Sequence, residues 1–364
     1  MAAQPQQGLT GQHGWMGRAL GPVLGLIALG IAIPALVIAA GADDDVTNGP
    51  ASAPVAAPAT CDVPRIAADV LPSVVTISVA GPGGSGTGSG EVIDADGHIL
   101  TNNHVISAAA SSGTIGVIFS DGHAQSAKLI GRDPQTDLAV LQVSDTKDLS
   151  VIKFGSSEDV RVGESVVALG APLGLSSTVT TGIVSARDRS INVPSDNGTT
   201  ALLVAAIQTD AAINPGNSGG ALVDCAGQLV GVPSAGATVP NANGESSAGS
   251  IGLGFAIPSD FAHSIADSLI KNGKVSHGFF GINVTTVSNG TTSGLYVVAV
   301  TPGGPSAGAG LREGDVIVTI NGQPATSAEQ LLALTLTKRP GDRVGLTYER
   351  DGARHDLTVT LGGT

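Results

Sequence analysis

Aromatic side chains are scarce in this 364-residue chain: six Phe, two Tyr and one Trp, 2% of the sequence. A soluble enzyme normally builds cores and pockets partly from rings, so here packing must rest on aliphatic residues. Cysteine is confined to Cys61 and Cys225, which excludes a disulfide-dense mini-domain and any multi-cysteine zinc or iron–sulfur site. Positive charge is short as well. With 17 Lys and Arg against 30 Asp and Glu, the formal net charge of -13 argues against a nucleic-acid binder or a polybasic lipid reader. Apolar residues and glycine are abundant: 42% of the chain is hydrophobic and 52 residues are Gly, which excludes disorder of the whole chain. The length predicts two folded domains plus accessories.

No charged residue occurs from Ala19 to Ala42, and a helix of that length at about 1.5 Å per residue would cross a bilayer core. Arg18 before it and Asp43-Asp44-Asp45 after it put the remainder outside the cytoplasm, leaving residues 1–18 as a cytoplasmic tail. The apolar length favours an uncleaved transmembrane anchor, although Ala40-Gly41-Ala42 also fits a signal cleavage site, after which the protein would be secreted. Residues 43–60, rich in Ala, Pro, Ser and Thr, read as a disordered linker, and consecutive Asp residues on such a chain have no preorganised metal geometry.

From Val70 to about Pro258 the pattern changes to short β-branched runs separated by Gly, Asp and Ser turns, including VVTISV, LAVLQV, ESVVALG and ALLVAA. Such spacing indicates an antiparallel sandwich or barrel and not βαβ units. A helix follows, with Phe261, Ile265 and Leu269 on one face and an end at Asn272-Gly273; it is a candidate hinge between domains. Beyond it strands resume, and Ser327 with Gln330 forms a capping box ahead of LLAL.

Three segments carry candidate chemistry. Thr101-Asn102-Asn103-His104 runs from a strand into a histidine, Asp133-Pro134-Gln135-Thr136-Asp137 offers a carboxylate at a strand entrance, and Pro215-Gly216-Asn217-Ser218-Gly219-Gly220 holds a serine in a tight loop. A serine hydroxyl needs an imidazole to take its proton, and the imidazole needs a carboxylate to fix its tautomer. Gly216 permits the sharp turn that would aim its own amide and that of Ser218 into one oxyanion cavity. Asp133, followed by Pro, reads as turn chemistry instead. The order His, Asp, Ser, where an α/β-hydrolase runs Ser, Asp, His, and the absence of βαβ patterning together disfavour that fold.

The stretches GSGTGSGEVIDADGHILTNNHVI, GRDPQTDLAVLQV, APLGLSSTVTTGIVSARDR, QTDAAINPGNSGGALVD and IGLGFAIPSD resemble the HtrA (Deg-type) serine proteases. The resemblance covers about Val70 to Gly363. It implies a mostly β fold, a chymotrypsin-like pair of six-stranded barrels over residues 61–273 followed by a PDZ domain over 276–363, behind the N-terminal transmembrane helix. It further implies a catalytic triad of His104, Asp137 and Ser218 and an oxyanion hole at Gly216 and Ser218 with Asn217 between them. Ile213 would help line an aliphatic S1 pocket that takes a small P1 residue. Glu91 departs from the family at a position usually apolar, and Val232-Pro233-Ser234 replaces the usual Ile-Asn-Thr. Pro233 has no N–H, which puts substrate pairing there in doubt.

In the C-terminal part, Phe279-Phe280-Gly281-Ile282 resembles the PDZ carboxylate-binding loop, where backbone amides would nest a peptide C-terminus while the peptide adds to a sheet edge. Polypeptide substrates, C-terminal peptides, the membrane and a possible homotrimer are the implied partners; no metal or other cofactor is called for. Cys61 and Cys225, on the exported side, are either a disulfide or two separate thiols. The resulting expectation is an extracytoplasmic serine endopeptidase for misfolded or exposed polypeptide, regulated through the PDZ domain. A chaperone-like scaffold with a silent protease domain and an esterase are the rival readings.

Overall fold

A computed structural model describes residues 61–171, 177–236, 249–288 and 293–364, all within the compact unit Ala57–Thr364. The segments 1–18, Ala19–Ala42 and 43–60 lie outside the described residues. Among those described, no helix is long and apolar enough to cross a membrane.

A first helix, α1 (Val63–Val70), is opened by the Asp62 side chain, which accepts from the Arg65 amide at 3.2 Å. The first barrel closes β1 (Val74–Gly81), β2 (Gly84–Val92), β3 (His98–Thr101), β4 (Thr114–Ile118), β5 (Ala124–Asp133) and β6 (Leu138–Val143) in the order β1-β2-β3-β6-β5-β4. Its interior is aliphatic apart from Phe119, with Val75, Ile77, Val92, Ile99, Val117 and Leu141 buried together. A one-turn helix, α2 (Asn103–Ile106), follows β3 and carries His104.

The second barrel closes β7 (Ser165–Gly170), β8 (Thr178–Pro194), β9 (Thr200–Thr209), β10 (Ala221–Val223), β11 (Leu229–Gly236) and β12 (Gly254–Pro258) in the order β10-β11-β12-β9-β8-β7. Pro233 sits at a register shift of β11, where a missing N–H interrupts no regular ladder, and its carbonyl accepts the Gly219 amide at 2.8 Å. Cys61 and Cys225 are joined by a disulfide that ties the start of α1 to the turn after β10.

The helix α3 (Ser259–Asn272) begins directly after β12 and ends at Gly273 in a left-handed cap. Ala262, Ile265, Ala266 and Leu269 pack into the same cluster as Leu100, Leu138, Val140 and Val232, so α3 is bound to both barrels and does not serve as a free hinge. Residues 273–277 connect it to the next strand, which starts at Gly278.

The C-terminal sheet runs β14 (Ile282–Ser288), β15 (Ser293–Val300), β16 (Val316–Ile320), β18 (Arg343–Arg350) and β19 (Ala353–Thr360), with β17 (Gln323–Pro324) paired to β16 and β13 (Gly278–Phe279) paired to β20 (Gly362–Gly363). A short α4 (Pro305–Gly308) and the longer α5 (Ala328–Thr337) cover it, α5 opening with the Ser327–Gln330 capping box. β14 is an edge strand, the position a bound peptide strand requires.

Candidate active site

Asp137 occupies the last position of the turn between β5 and β6, fully buried, with φ 59, a left-handed conformation Asp tolerates better than most residues. Five donors hold it. Its carbonyl accepts the Asn103 amide at 3.1 Å and Asn102 Nδ2 at 3.0 Å, while its carboxylate accepts the His104 amide at 2.9 Å and the Ser234 hydroxyl at 2.6 Å. His104 Nδ1 lies 2.8 Å from Asp137 Oδ2 and 3.1 Å from Oδ1. A carboxylate only accepts, so Nδ1 carries the hydrogen and Nε2 is left to act as base. The imidazole is partly exposed.

Ser218 follows the turn Asn214–Asn217 that precedes β10. Gly216 has φ 101, which a side chain would resist, and its carbonyl accepts the Ser89 hydroxyl at 2.6 Å. The Asn217 amide closes the turn onto Asn214 O at 3.0 Å, and its side chain donates to Ala212 O at 3.2 Å. Asn217 thus spaces the loop without offering its N–H to the cavity. Neither the Gly216 nor the Ser218 amide donates to a described residue. The Ser218 hydroxyl donates to Ser234 O at 3.3 Å and not to His104.

Ile213, buried beneath this loop, fills the space that a side chain on Gly254 would take: a Cβ there would stand 2.4 Å from Ile213 Cγ1.

Glu91 is fully buried on β2, opposite Val74 and Leu100, where two apolar clusters meet. Neither carboxylate oxygen has a partner, and burial pushes its pKa well above the usual carboxylate range against a weaker pull from its own amide. Among the described residues, the metal-like grouping is Asp94, Asp96 and His98, but Asp94 already accepts His98 Nδ1 at 2.6 Å and two backbone amides.

In the C-terminal domain Phe280 is buried in the core and Phe279 half-buried against Gly281 and Gly362. The Phe280 and Gly281 amides donate to no described residue, while their carbonyls accept Ser306 N at 3.0 Å and Thr301 N at 2.8 Å. One contact, from just before β13, reaches the Asp133–Asp137 turn directly, and a second reaches it through β9. His277 Nε2 lies 2.8 Å from Asp133 Oδ2, both side chains buried. Leu336 and Ala333 of α5 pack on Leu202 and Val204 of β9, and the Leu202 amide donates to Gln135 O at 3.1 Å. Asp133 is a turn residue as its sequence suggested, accepting Thr136 Oγ1 at 2.6 Å, but it also receives His277. Ser89 and His277 had no signal of their own in the sequence, since each acts through a contact distant along the chain; Ser234 was visible only as part of a departure from the family pattern.

Residues 88–232 match the family model of the trypsin-like peptidase domain and residues 278–361 that of the PDZ domain. Serine protease PepD of Mycobacterium tuberculosis is 43% identical over 367 residues, covering 94% of this chain and 78% of that protein. A probable periplasmic serine endoprotease DegP-like of Pseudomonas putida is 42% identical over 283 residues; the match takes in 76% of this chain but 55% of that longer protein. Among solved structures, the HtrA-type protease AlgW with tripeptide superimposes with a TM-score of 0.66 at 36% identity, covering 83% of this chain and 97% of that one. The serine endoprotease from Yersinia pestis gives 0.63 at 32% identity, covering 85% and 99%.

Proposed function

The chain belongs to the HtrA-type serine endopeptidases, and on that premise we propose that it cleaves exposed or misfolded extracytoplasmic polypeptides with His104, Asp137 and Ser218 as its catalytic triad. The observation that carries this reading is the network Ser234–Asp137–His104, which fixes the imidazole tautomer, set beside a serine loop with two unengaged amides. In the reaction His104 Nε2 takes the Ser218 proton as Oγ attacks the scissile carbonyl. Asp137 stabilises the imidazolium, and the Gly216 and Ser218 amides receive the oxyanion. The imidazolium then protonates the leaving amine, and water resolves the acyl-enzyme by the same route in reverse. The Ser218 to Ser234 bond supports a resting state from which a rotation of the hydroxyl onto Nε2 starts the cycle.

The packing of Ile213 against Gly254 beside the serine loop favours a small aliphatic P1 side chain such as Val or Ala. A peptide C-terminus would nest on the Phe280 and Gly281 amides, its strand adding to β14 beside α5. Because His277 touches Asp133 and α5 packs on β9, whose Leu202 amide holds Gln135 O, occupancy there would reach the turn that carries Asp137. An extracytoplasmic setting is supported by the Cys61–Cys225 disulfide and by the periplasmic relatives, and anchoring by the uncharged run Ala19–Ala42. Assembly as a homotrimer rests on the family resemblance alone.

The test is cleavage of an unfolded protein by the wild type and by Ser218→Ala, with fluorophosphonate labelling of both. Cleavage and labelling confined to the wild type are expected. Equal cleavage by both proteins would overturn the assignment, and ester turnover without peptide cleavage would favour an esterase.

A further inference from the structure

We infer that Ser89, a residue of the first barrel, is the positioning residue that holds the oxyanion loop of the second barrel in its working shape. This rests on Ser218 being the nucleophile. Ser89 is fully buried on β2 between Gly88 and Gly90. A Cβ on Gly88 would stand 2.6 Å from Val105 Cγ2 and 3.2 Å from the carbonyl of Ser218, so the strand comes this close to the serine loop only with glycine beside it.

All the hydrogen-bonding groups of Ser89 are engaged. Its amide donates to Ser218 O at 2.9 Å, its hydroxyl donates to Gly216 O at 2.6 Å and accepts the Ala171 amide at 2.8 Å, and its carbonyl accepts Thr101 Oγ1 at 2.6 Å. Because the Ala171 amide brings its own hydrogen, the single hydroxyl proton must go to Gly216 O.

The two carbonyls that Ser89 holds belong to the peptides on either side of the one whose N–H is the Ser218 donor. Fixing both flanks fixes the direction of that donor. The restraint matters most at Gly216, since a glycine at φ 101 has no Cβ to limit rotation of the following peptide. Released from Ser89, that peptide is held only through its Asn217 N–H on Asn214 O, and its carbonyl could swing toward the place where the oxyanion forms, replacing a donor field with a repulsive one. Alanine at position 89 would preserve the backbone bond to Ser218 O. It would leave Gly216 O and the Ala171 amide without their partner.

The experiment measures kcat, KM and thermal midpoint on the full chain for Ser89→Ala, Ser89→Cys and Ser73→Ala, with a peptide bearing Val at P1 and the matching peptide boronate as transition-state analogue. Ser73 is the control, because its hydroxyl makes an equally buried bond, to Val70 O at 2.7 Å, away from the site. Ser89→Ala is expected to lose roughly ten- to hundredfold in kcat, a part of what deleting one oxyanion donor costs. KM should stay within about threefold, and boronate affinity should fall in step with kcat. Ser89→Cys, a weaker donor, should fall between, and Ser73→Ala should lose thermal stability at unchanged kcat. Folded Ser89→Ala with kcat within about twofold of wild type would overturn the inference, as would a loss carried by KM alone. Should Ser89→Ala not fold, wild-type kcat in Ser89→Cys would overturn it equally. An inactive wild type would instead fail the proteolytic assignment itself.

Discussion

Replacing Glu91 should stabilise the protein, and the gain should grow with pH. Its carboxyl lies in the apolar seam bordered by Val74 and Leu100, neither oxygen has a partner, and no Lys, Arg or His among the described residues is within ion-pair reach. Burial raises its folded pKa. Below about pH 4 the group is protonated whether the chain is folded or not, and it contributes no pH dependence. Above that, the unfolded chain releases the proton while the folded chain keeps it, so the unfolded state binds fewer protons. Stability therefore falls as pH rises, by up to about 1.4 kcal/mol per pH unit, until the folded carboxyl itself ionises. Glu91→Gln removes the slope but leaves an unpaired amide; Glu91→Leu also removes the buried polar atoms, worth a further ~1–3 kcal/mol. The assay is urea unfolding between pH 4.5 and 8 in a Ser218→Ala background, which prevents self-cleavage. The quantity read is the difference between the parent and its Glu91→Leu variant at each pH, in which the other groups cancel. A difference independent of pH, or a Glu91→Leu variant less stable than its parent, would refute the reasoning.

Ser234→Ala removes a 2.6 Å bond to a buried carboxylate; a loss of ~1.5–3 kcal/mol in transition-state stabilisation is expected, read as roughly ten- to a hundredfold in kcat/KM. Ile213→Ala should deepen the pocket, and a P1 library should then show relative gain for Leu and Met over Val. Cys61→Ser with Cys225→Ser opens a loop of sequence separation 164 and should cost at most about 5 kcal/mol on chain-entropy grounds, measured by urea unfolding. His277→Ala removes the Asp133 contact, and stimulation by a C-terminal peptide should shrink while peptide affinity, measured by calorimetry, stays the same.

The proposed triad residues were legible in the sequence because their chemistry demands local context: a histidine at a strand end, a carboxylate in a turn, a serine among glycines. Most strands were legible as well, from their β-branched runs. β2 was not read as a strand over Gly84–Gly90, since glycines there take the place of alternating apolar residues and serve the approach to Val105 and Ser218. β5 escaped because its alternation is of polar with small residues. His104 belongs to a helical turn, where it reads as a strand end in sequence. Pro233 put substrate pairing in doubt from the sequence; that it sits in β11 at a register shift could not be read there. Glu91 was visible as an oddity, but its burial follows from which face of β2 meets the second barrel, and no local pattern encodes that. The contacts that tune the site, from Ser89, Ser234 and His277, join segments far apart in the chain and depend on how the two barrels and the PDZ domain pack.

The central claim is that Ser218 is a nucleophile activated by His104. The most direct measurement is mass-spectrometric mapping of a fluorophosphonate adduct on the wild-type chain and on His104→Ala. The account predicts a single adduct on Ser218 in the wild type and labelling slowed by at least about a thousandfold in the variant. An adduct on another serine, or equal labelling in both proteins, would contradict it.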